Sequence, residues 1–300
     1  MNETASLRAG FVAVIGRPNV GKSTLVNALV GERVAIVSRR PQTTRRPIRG
    51  IVNRDGCQIV FVDSPGLHMS AGRALNRALN ASARQAAAEA DAVLLMVEAG
   101  RWQGDDERAL SVVREAERPT VLVLNKVDCI HPRSALLPLI AEASARHEFA
   151  AVVPVAAQRG ENIEQIPAAL APLLPLSPAL FPPGEFTDQT LVERAAETVR
   201  EALVERLGQE LPYATYVTIE GMTEKGRCLH LDAAIWVART SQKGIVIGAG
   251  GRMAKAIGTA ARKVLEAEHN RPVMLRLRVR ERPGWSDDPR AVAELGLGPH

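Results

Sequence analysis

Gly16-Arg17-Pro18-Asn19-Val20-Gly21-Lys22-Ser23-Thr24 sets two glycines around a short turn, with a lysine and a hydroxyl directly after the second glycine. A chain that turns through glycines into a helix presents backbone N–H groups and the positive helix end to an anion. Lys22 supplies a point charge for β- and γ-phosphates, and Ser23 supplies a hard oxygen suited to Mg²⁺. This is the chemistry of a nucleoside triphosphate held by its phosphates. The elements needed to position it stand on both sides. The apolar run Phe11–Ile15 leads in, and a helical pattern (Leu25, Val26, Ala28, Leu29, Val30) leads out to Gly31. A glycine turn that only happened to precede a lysine would need neither flank.

Two further clusters fall at the ends of apolar runs. Asn125-Lys126-Val127-Asp128 closes the run 120–125, where the carboxyl edge of a parallel sheet binds ligands. An Asp there accepts from guanine N1–H and from the exocyclic amine, whereas adenine has no N1 donor and would leave a carboxylate unpaired. Asp63-Ser64-Pro65-Gly66 closes the run 58–63. Asp63 is suited to holding Mg²⁺ through water, and the Gly66 N–H to meeting the γ-phosphate. The segment Ser38-Arg39-Arg40-Pro41-Gln42-Thr43-Thr44-Arg45-Arg46 is a candidate switch whose threonine completes the Mg²⁺ shell. An arginine-rich surface loop is the plainer reading of the same residues. Lys22, Thr44 and Gly66 are the candidate catalytic residues, and Ser23, Thr44 and Asp63 the candidate metal ligands. Leu67 follows Gly66 where signalling GTPases carry a water-orienting glutamine, so hydrolysis is expected to be slow or assisted.

Taken together, residues 16–128 resemble the translation-factor-like GTPases. The resemblance implies GTP and GDP as ligands with Mg²⁺. It implies contacts from Gly16, Arg17, Pro18, Asn19, Val20, Gly21, Lys22, Ser23 and Thr24, and from Asp63, Ser64, Pro65, Gly66 and Leu67. Asn125, Lys126 and Asp128 would read the base, joined by Ala156 and Ala157 of Ala156-Ala157-Gln158-Arg159-Gly160. Ala156 stands where that family carries a serine. The Ala157 N–H is the expected donor to guanine O6. Asn19 matches an asparagine that related GTPases use to hold an activating K⁺.

Short, nearly continuous apolar runs at 11–16, 58–63, 92–98, 120–125 and 151–155 alternate with helical patterns such as Ala74–Glu89 and Asp105–Glu117. Continuous apolarity suits strands buried on both faces, hence an α/β unit with a mainly parallel sheet. A run at Ile48–Val52, joined to 58–63 through an Asp-Gly turn, predicts a hairpin and one antiparallel edge strand. Pro172, Pro175, Pro178, Pro182 and Pro183 mark a change of character. The expected organisation is a P-loop GTPase domain over 8–171, a proline-rich linker over 172–186 and an α+β unit over 187–300.

In that second unit a helix is expected over Thr187–Leu207, strands at Tyr213–Glu220 and Leu229–Ala238, and a helix over Met253–Glu268. Val273–Arg280 alternates cleanly between apolar residues and arginines, as a strand with one covered face should. Between these lies Gly248-Ala249-Gly250-Gly251, read as a Gly-x-x-Gly loop joining a strand-like run, Ile245–Ile247, to a helix. With Arg252 and Lys255 it matches the backbone clamp of type II KH-like domains, which makes these six residues candidate RNA contacts. Residues 239–280 carry ten Lys/Arg against Glu266 and Glu268, which favours RNA over a merely solvated face.

The combination resembles the Era family of bacterial GTPases from about residue 8 to 297, through Pro41-Gln42-Thr43-Thr44-Arg45, Glu210-Leu211-Pro212-Tyr213 and Gly284-Trp285-Ser286-Asp287-Asp288. The resemblance implies GTP hydrolysis coupled to binding of the 3′ end of 16S ribosomal RNA and to maturation of the small ribosomal subunit. It also implies a monomer with peripheral contact at the inner face of the cell membrane. Ser64 and Ala156 depart from the family pattern, as does Thr187-Asp188-Gln189, where an arginine commonly follows the aspartate.

Composition sets the outer bounds. The chain has 300 residues, 46% hydrophobic and 24% charged, with a net charge of +5. Cys57, Cys129 and Cys228 are too scattered for a disulfide frame or zinc site. Glu3 and Arg8 precede the first apolar run, so no signal peptide is expected, and no run approaches the ~18 apolar residues of a spanning helix. A cytoplasmic protein follows. A nucleotide-stabilised RNA chaperone and a membrane-acting P-loop GTPase remain as alternatives.

Overall fold

In the computed structural model, residues 7–38, 44–54, 56–67, 74–208, 211–295 and 297 are described. Arg39, Arg40, Pro41, Gln42 and Thr43 of the candidate switch lie outside them, as do Asp55 and Glu210.

The first unit comprises β1 (Leu7–Ile15), α1 (Lys22–Val30), β2 (Ile48–Arg54), β3 (Cys57–Asp63), α2 (Ala74–Glu89) and β4 (Ala92–Glu98). It continues with α3 (Gly104–Ala116), β5 (Thr120–Asn125), α4 (Leu136–Ser144), β6 (Ala151–Pro154), α5 (Gln165–Leu170) and the short β7 (Leu176–Ser177). The strands lie in the order β2-β3-β1-β4-β5-β6. All neighbours are parallel except the β2–β3 hairpin at the edge, as the Asp-Gly turn foretold.

The apolar runs are continuous because each strand feeds two cores. Val12, Val14, Leu94, Met96, Val121 and Val123 pack under α1 and α5. Their neighbours Ala13, Ile15, Val93, Leu95, Leu122 and Leu124 pack under α2, α3 and α4. Alternation thus decides which layer a side chain joins, not whether it is buried.

Prolines keep residues 172–186 out of α-helix and sheet interior, yet the segment is not loose. Leu176 and Ser177 pair antiparallel with Arg8 and Leu7. The Gln58 side chain accepts from Leu180 N at 2.6 Å and Phe181 N at 2.9 Å. Ile51 N donates to Phe186 O at 2.9 Å. The stretch is laid along the first unit by hydrogen bonds to its hairpin.

The second unit runs α6 (Leu191–Arg206), β8 (Thr215–Lys225), β9 (Cys228–Val237), α7 (Thr240–Ile247), α8 (Arg252–His269), β10 (Val273–Glu281) and α9 (Pro289–Glu294). Thr190 caps α6 reciprocally with Glu193, its Oγ1 accepting from Glu193 N at 3.3 Å and its own N donating to Glu193 Oε2 at 2.9 Å. β9 is central, antiparallel to β8 and parallel to β10. Helices α6, α7 and α8 cover one face, burying Val199, Leu203, Val246, Ile257 and Ala261 against Ala233, Ile235 and Val237.

One expectation fails here. Ile245-Val246-Ile247 is the end of helix α7, not a strand. Val246 is fully buried while Ile245 is 57% exposed, a one-sided burial that a three-residue apolar run cannot reveal. Gln242 also caps this helix, its Oε1 accepting from Ala238 N at 2.9 Å and Arg239 N at 3.0 Å.

The two units meet at an apolar cluster. Ala74, Leu75 and Leu79 of α2 pack with Tyr216, Trp285, Ala291, Val292, Leu295 and Leu297. Trp285 is fully buried and donates from Nε1 to Ala214 O at 3.1 Å, while Leu75 N donates to Ser286 O at 3.1 Å. Truncating such a tryptophan to alanine removes roughly 3–5 kcal/mol. Beside the cluster lies a cavity of about 750 Å³ rimmed by Arg45, Arg49, Glu89, Asp188, Glu197 and Glu294.

Candidate functional site

The glycine turn sits where β1 gives way to α1. A Cβ on Gly16 would lie 2.5 Å from Met96 O, so only glycine fits beside β4. Gly21 has φ 110° and a Cβ there would strike Asn125 Nδ2 at 2.4 Å. α1 then begins with no side-chain cap and no acidic residue in its first turn, which leaves its leading N–H groups for an anion. Pro18, Asn19, Gly21, Lys22, Ser23, Thr24, Thr44 and Gly66 line one small pocket. Ser38 of the candidate switch lines it too, as do Ile36 and Val37, which nothing in their residue types marked.

Lys22 is 7% exposed, and its Nζ donates to Gly16 O at 3.0 Å and Arg17 O at 3.2 Å. Burial drives its ammonium down to about 8, against the opposing pull of Asp63. Asp63 is fully buried, which pushes its carboxyl upward, while Lys22, Ser23 and Thr44 work the other way. Ser23 Oγ donates to Asp63 Oδ2 at 2.6 Å and Thr44 Oγ1 donates to the same oxygen at 3.1 Å, with the two hydroxyls 3.0 Å apart. The three candidate metal ligands therefore converge from α1, the switch segment and the end of β3.

Their fit to Mg²⁺ rests on chemistry visible at the cluster. All donors are hard oxygens, and Asp63 Oδ1 is buried with no hydrogen-bond partner, an orphan that a hydrated cation would satisfy. With a nucleotide in the pocket, Ser23, Thr44 and Asp63 would hold Mg²⁺, which would offset phosphate charge. Among the described residues no group of three or more His, Cys, Asp or Glu could hold a metal on its own.

Gly66 approaches the phosphate turn closely, since its Cβ would lie 3.0 Å from Pro18 N. Ser64 is buried and donates to Val14 O at 2.7 Å. Leu67 and Val20 point into the two apolar cores, so only their main chain can face a nucleotide. The glutamine-like role is thus absent from Leu67 by position as well as by chemistry.

On the base side, Asn125 is 3% exposed and ties two loops together. Its Nδ2 donates to Val20 O at 2.8 Å and its Oδ1 accepts from Ala157 N at 3.0 Å. The Ala157 N–H, the expected donor to guanine O6, donates here to the Asn125 side chain, so the 156–160 loop packs directly on the asparagine. Ala156 is buried, its N–H on Glu161 O at 3.1 Å. Asp128 Oδ2 meets Arg159 Nε at 3.0 Å. Lys126 has φ 64° and its Nζ donates to Glu98 Oε2 at 3.0 Å.

Arg17 turns away from the pocket. Its Nη2 donates to Glu98 Oε2 at 2.7 Å and its Nε to Asp106 Oδ2 at 3.1 Å. Glu98 and Asp106 escaped the sequence reading. A carboxylate closing an otherwise wholly apolar strand was the available signal for Glu98.

In the second unit, Gly248, Gly250 and Gly251 all have positive φ (72°, 59° and 76°). A Cβ on Gly248 would meet Met253 Cβ at 2.8 Å, whereas Gly250 and Gly251 face open space. α8 starts uncapped after Gly251, with Ala249, Gly250, Arg252 and Lys255 exposed. The basic strand is less free than a count of its own window suggested. Arg276 pairs with Asp232 at 3.3 Å, Arg280 with Glu220 at 2.9 Å, and Arg271 with Glu224 at 2.8 Å. Those acids come from β8 and β9, outside the counted stretch. Arg252 and Lys255 have no acidic partner within ion-pair distance among the described residues.

A glycine phosphate turn on a mainly parallel sheet, Asn-Lys-x-Asp on β5 and an appended αββααβ unit with an exposed Gly-x-x-Gly loop define a P-loop GTPase joined to a KH domain. Residues 11–126 match the family model described as 50S ribosome-binding GTPase, and residues 210–286 that of the KH domain. GTPase Era of Stenotrophomonas maltophilia strain R551-3 is 48% identical over 296 residues, covering 99% of each chain. GTPase Era of Xanthomonas oryzae pv. oryzae strain MAFF 311018 is 49% identical over 289 residues, 96% of this chain and 97% of that one. The chain belongs to the Era family of GTPases. The structure of an Aquifex aeolicus Era variant bound to GDP and AlF₄⁻ superimposes with a TM-score of 0.93 at 35% identity, covering 97% of this chain and 100% of that one. An Era complex with MgGDPNP and nucleotides 1506–1542 of 16S ribosomal RNA also gives 0.93 at 35% identity, over 97% and 99%. Among the described residues no helix is long and apolar enough to cross a membrane.

Proposed function

We propose that this chain is a GTP-driven switch that holds the 3′ end of small-subunit ribosomal RNA and assists maturation of the small ribosomal subunit. GTP is bound by the 16–24 turn with Mg²⁺ on Ser23, Thr44 and Asp63. The guanine is read by Asp128, and RNA is gripped by Gly248–Gly251 with Arg252 and Lys255. Asn19, which lines the phosphate pocket, is the proposed K⁺ ligand. Equal turnover in Na⁺ and K⁺ would remove that part.

One observation carries the switch. Thr44, bonded to Ser23 and Asp63, is followed at once by two arginines bonded to the backbone of the second unit. Arg45 Nη1 donates to Thr215 O at 2.5 Å, and Arg46 Nη2 to Leu295 O. A segment whose one end senses the metal and whose next residues grip the RNA-binding unit can bias the posture of that unit.

The test is the affinity for an oligonucleotide of the small-subunit rRNA 3′ end, measured with a non-hydrolysable GTP analogue and with GDP. Tighter binding with the analogue, by about 10-fold, is expected. Replacing Arg45 and Arg46 together by alanine should shrink that ratio toward one. Equal affinities in the unsubstituted protein would favour the passive RNA chaperone instead.

A further inference from the structure

We propose that Glu98 is a positioning residue for the guanine nucleotide, its single oxygen Oε2 joining the phosphate turn to the base-reading loop. The inference rests on the nucleotide reading above and goes beyond it, since Glu98 belongs to none of the nucleotide-binding motifs.

β4 lies between β1, which delivers the phosphate turn, and β5, which delivers Asn125 and Lys126. The last residue of β4 is Glu98, in register with Asn125. A side chain there is the natural bridge between the two halves of a nucleotide site. Glu98 Oε2 accepts from Arg17 Nη2 at 2.7 Å and from Lys126 Nζ at 3.0 Å. Both are charge-assisted bonds, and the three side chains are only 9%, 18% and 36% exposed for Arg17, Glu98 and Lys126.

The other end of the bridge is fixed. Arg17 Nε is held by Asp106, which is fully buried and itself pinned by Gln103 N at 2.9 Å. Burial works to raise the Glu98 carboxyl, yet the bonds from Lys126 and Arg17 outweigh it and hold the group below its ordinary range. The carboxylate is therefore ionised where it is needed. Lys126 is in the left-handed region, which a lysine adopts only when its surroundings hold it there. The Glu98 bond supplies one such restraint.

A residue that sets the spacing between phosphate turn and base loop affects GTP and GDP alike and leaves the chemical step alone. Its effect should also depend on Lys126, because the two act through one bond. The experiment measures GTP and GDP affinity and single-turnover hydrolysis for Glu98→Gln, Lys126→Met and the double variant. The expected result is a roughly 10-fold loss of affinity for both nucleotides in Glu98→Gln. The hydrolysis rate at saturation should stay within about two-fold. The double variant should bind no more weakly than Lys126→Met alone.

Unchanged affinity in Glu98→Gln, or losses that multiply in the double variant, would overturn the proposal. Should Glu98→Gln not fold, Glu98→Asp makes the same comparison. It keeps the charge but shortens the reach, so it should fail to restore affinity, and native affinity in it would equally overturn the bridge. An unsubstituted protein that bound no guanine nucleotide would instead sink the underlying nucleotide reading, and the bridge with it.

Discussion

The phosphate turn at residues 16–24 and the loop at 248–252 use one device in two settings. Each is a glycine turn with positive φ feeding an uncapped helix, Gly21 before α1 and Gly251 before α8. Around the first, Lys22, Asp63 and Asn125 are 7%, 0% and 3% exposed and cross-braced by hydrogen bonds. Around the second, Gly250, Arg252 and Lys255 stand open to solvent. On the proposed function, the same backbone geometry serves discrimination in one place and grip in the other. Buried, pre-set partners make a wrong ligand expensive, whereas exposed flexible cations accept any phosphate backbone.

The sharpest way to break the contrast is Asp128→Asn. Loss of the carboxylate should weaken GTP by up to about 10⁴-fold and favour xanthosine triphosphate, as read by competition binding. An unchanged preference for GTP would show that the first site discriminates by some other means. Next in size is Gly250→Asp, which puts a carboxylate into the open loop and a side chain at φ 59°. RNA affinity should fall by about 10–100-fold with GTP affinity untouched, since like-charge placement opposes phosphate. A parallel fall in GTP affinity would mean that the two settings are not separable.

Salt separates them more gently. With about five phosphates contacted, log RNA affinity should fall against log salt at a slope near −3.5. A flat response would remove the exposed-cation account. The smallest effect is a proton. Lys22, held at about 8 by burial, is largely neutral at pH 9 in the free protein and must be charged to meet phosphate. GTP binding should take up close to one proton at pH 9 and almost none at pH 7, and affinity should decline only above about 8. Calorimetry in buffers of different ionisation enthalpy reads this directly. No uptake at pH 9 would place Lys22 outside the binding equilibrium.

Much of this was legible from residue order, and the reason is locality. α2 spans Ala74–Glu89 as its periodicity foretold, and Val273–Arg280 alternates in the sheet as it does in the chain. The phosphate turn needs only its own glycines, lysine and flanking elements. Where local pattern was too short, as in Ile245–Ile247, helix and strand could not be told apart.

Sequence alone settled the apolar faces of the longer periodic elements and which short segments could meet a phosphate or a guanine. Tertiary structure alone decided the partnerships: Glu98 with Arg17 and Lys126, Arg45 with Thr215, Asn125 with Ala157, and the acids of β8 and β9 with the arginines of β10. Periodicity records that a surface is covered. It does not record what covers it, because contacts between segments far apart in the chain depend on strand order and crossing geometry, which no single segment contains.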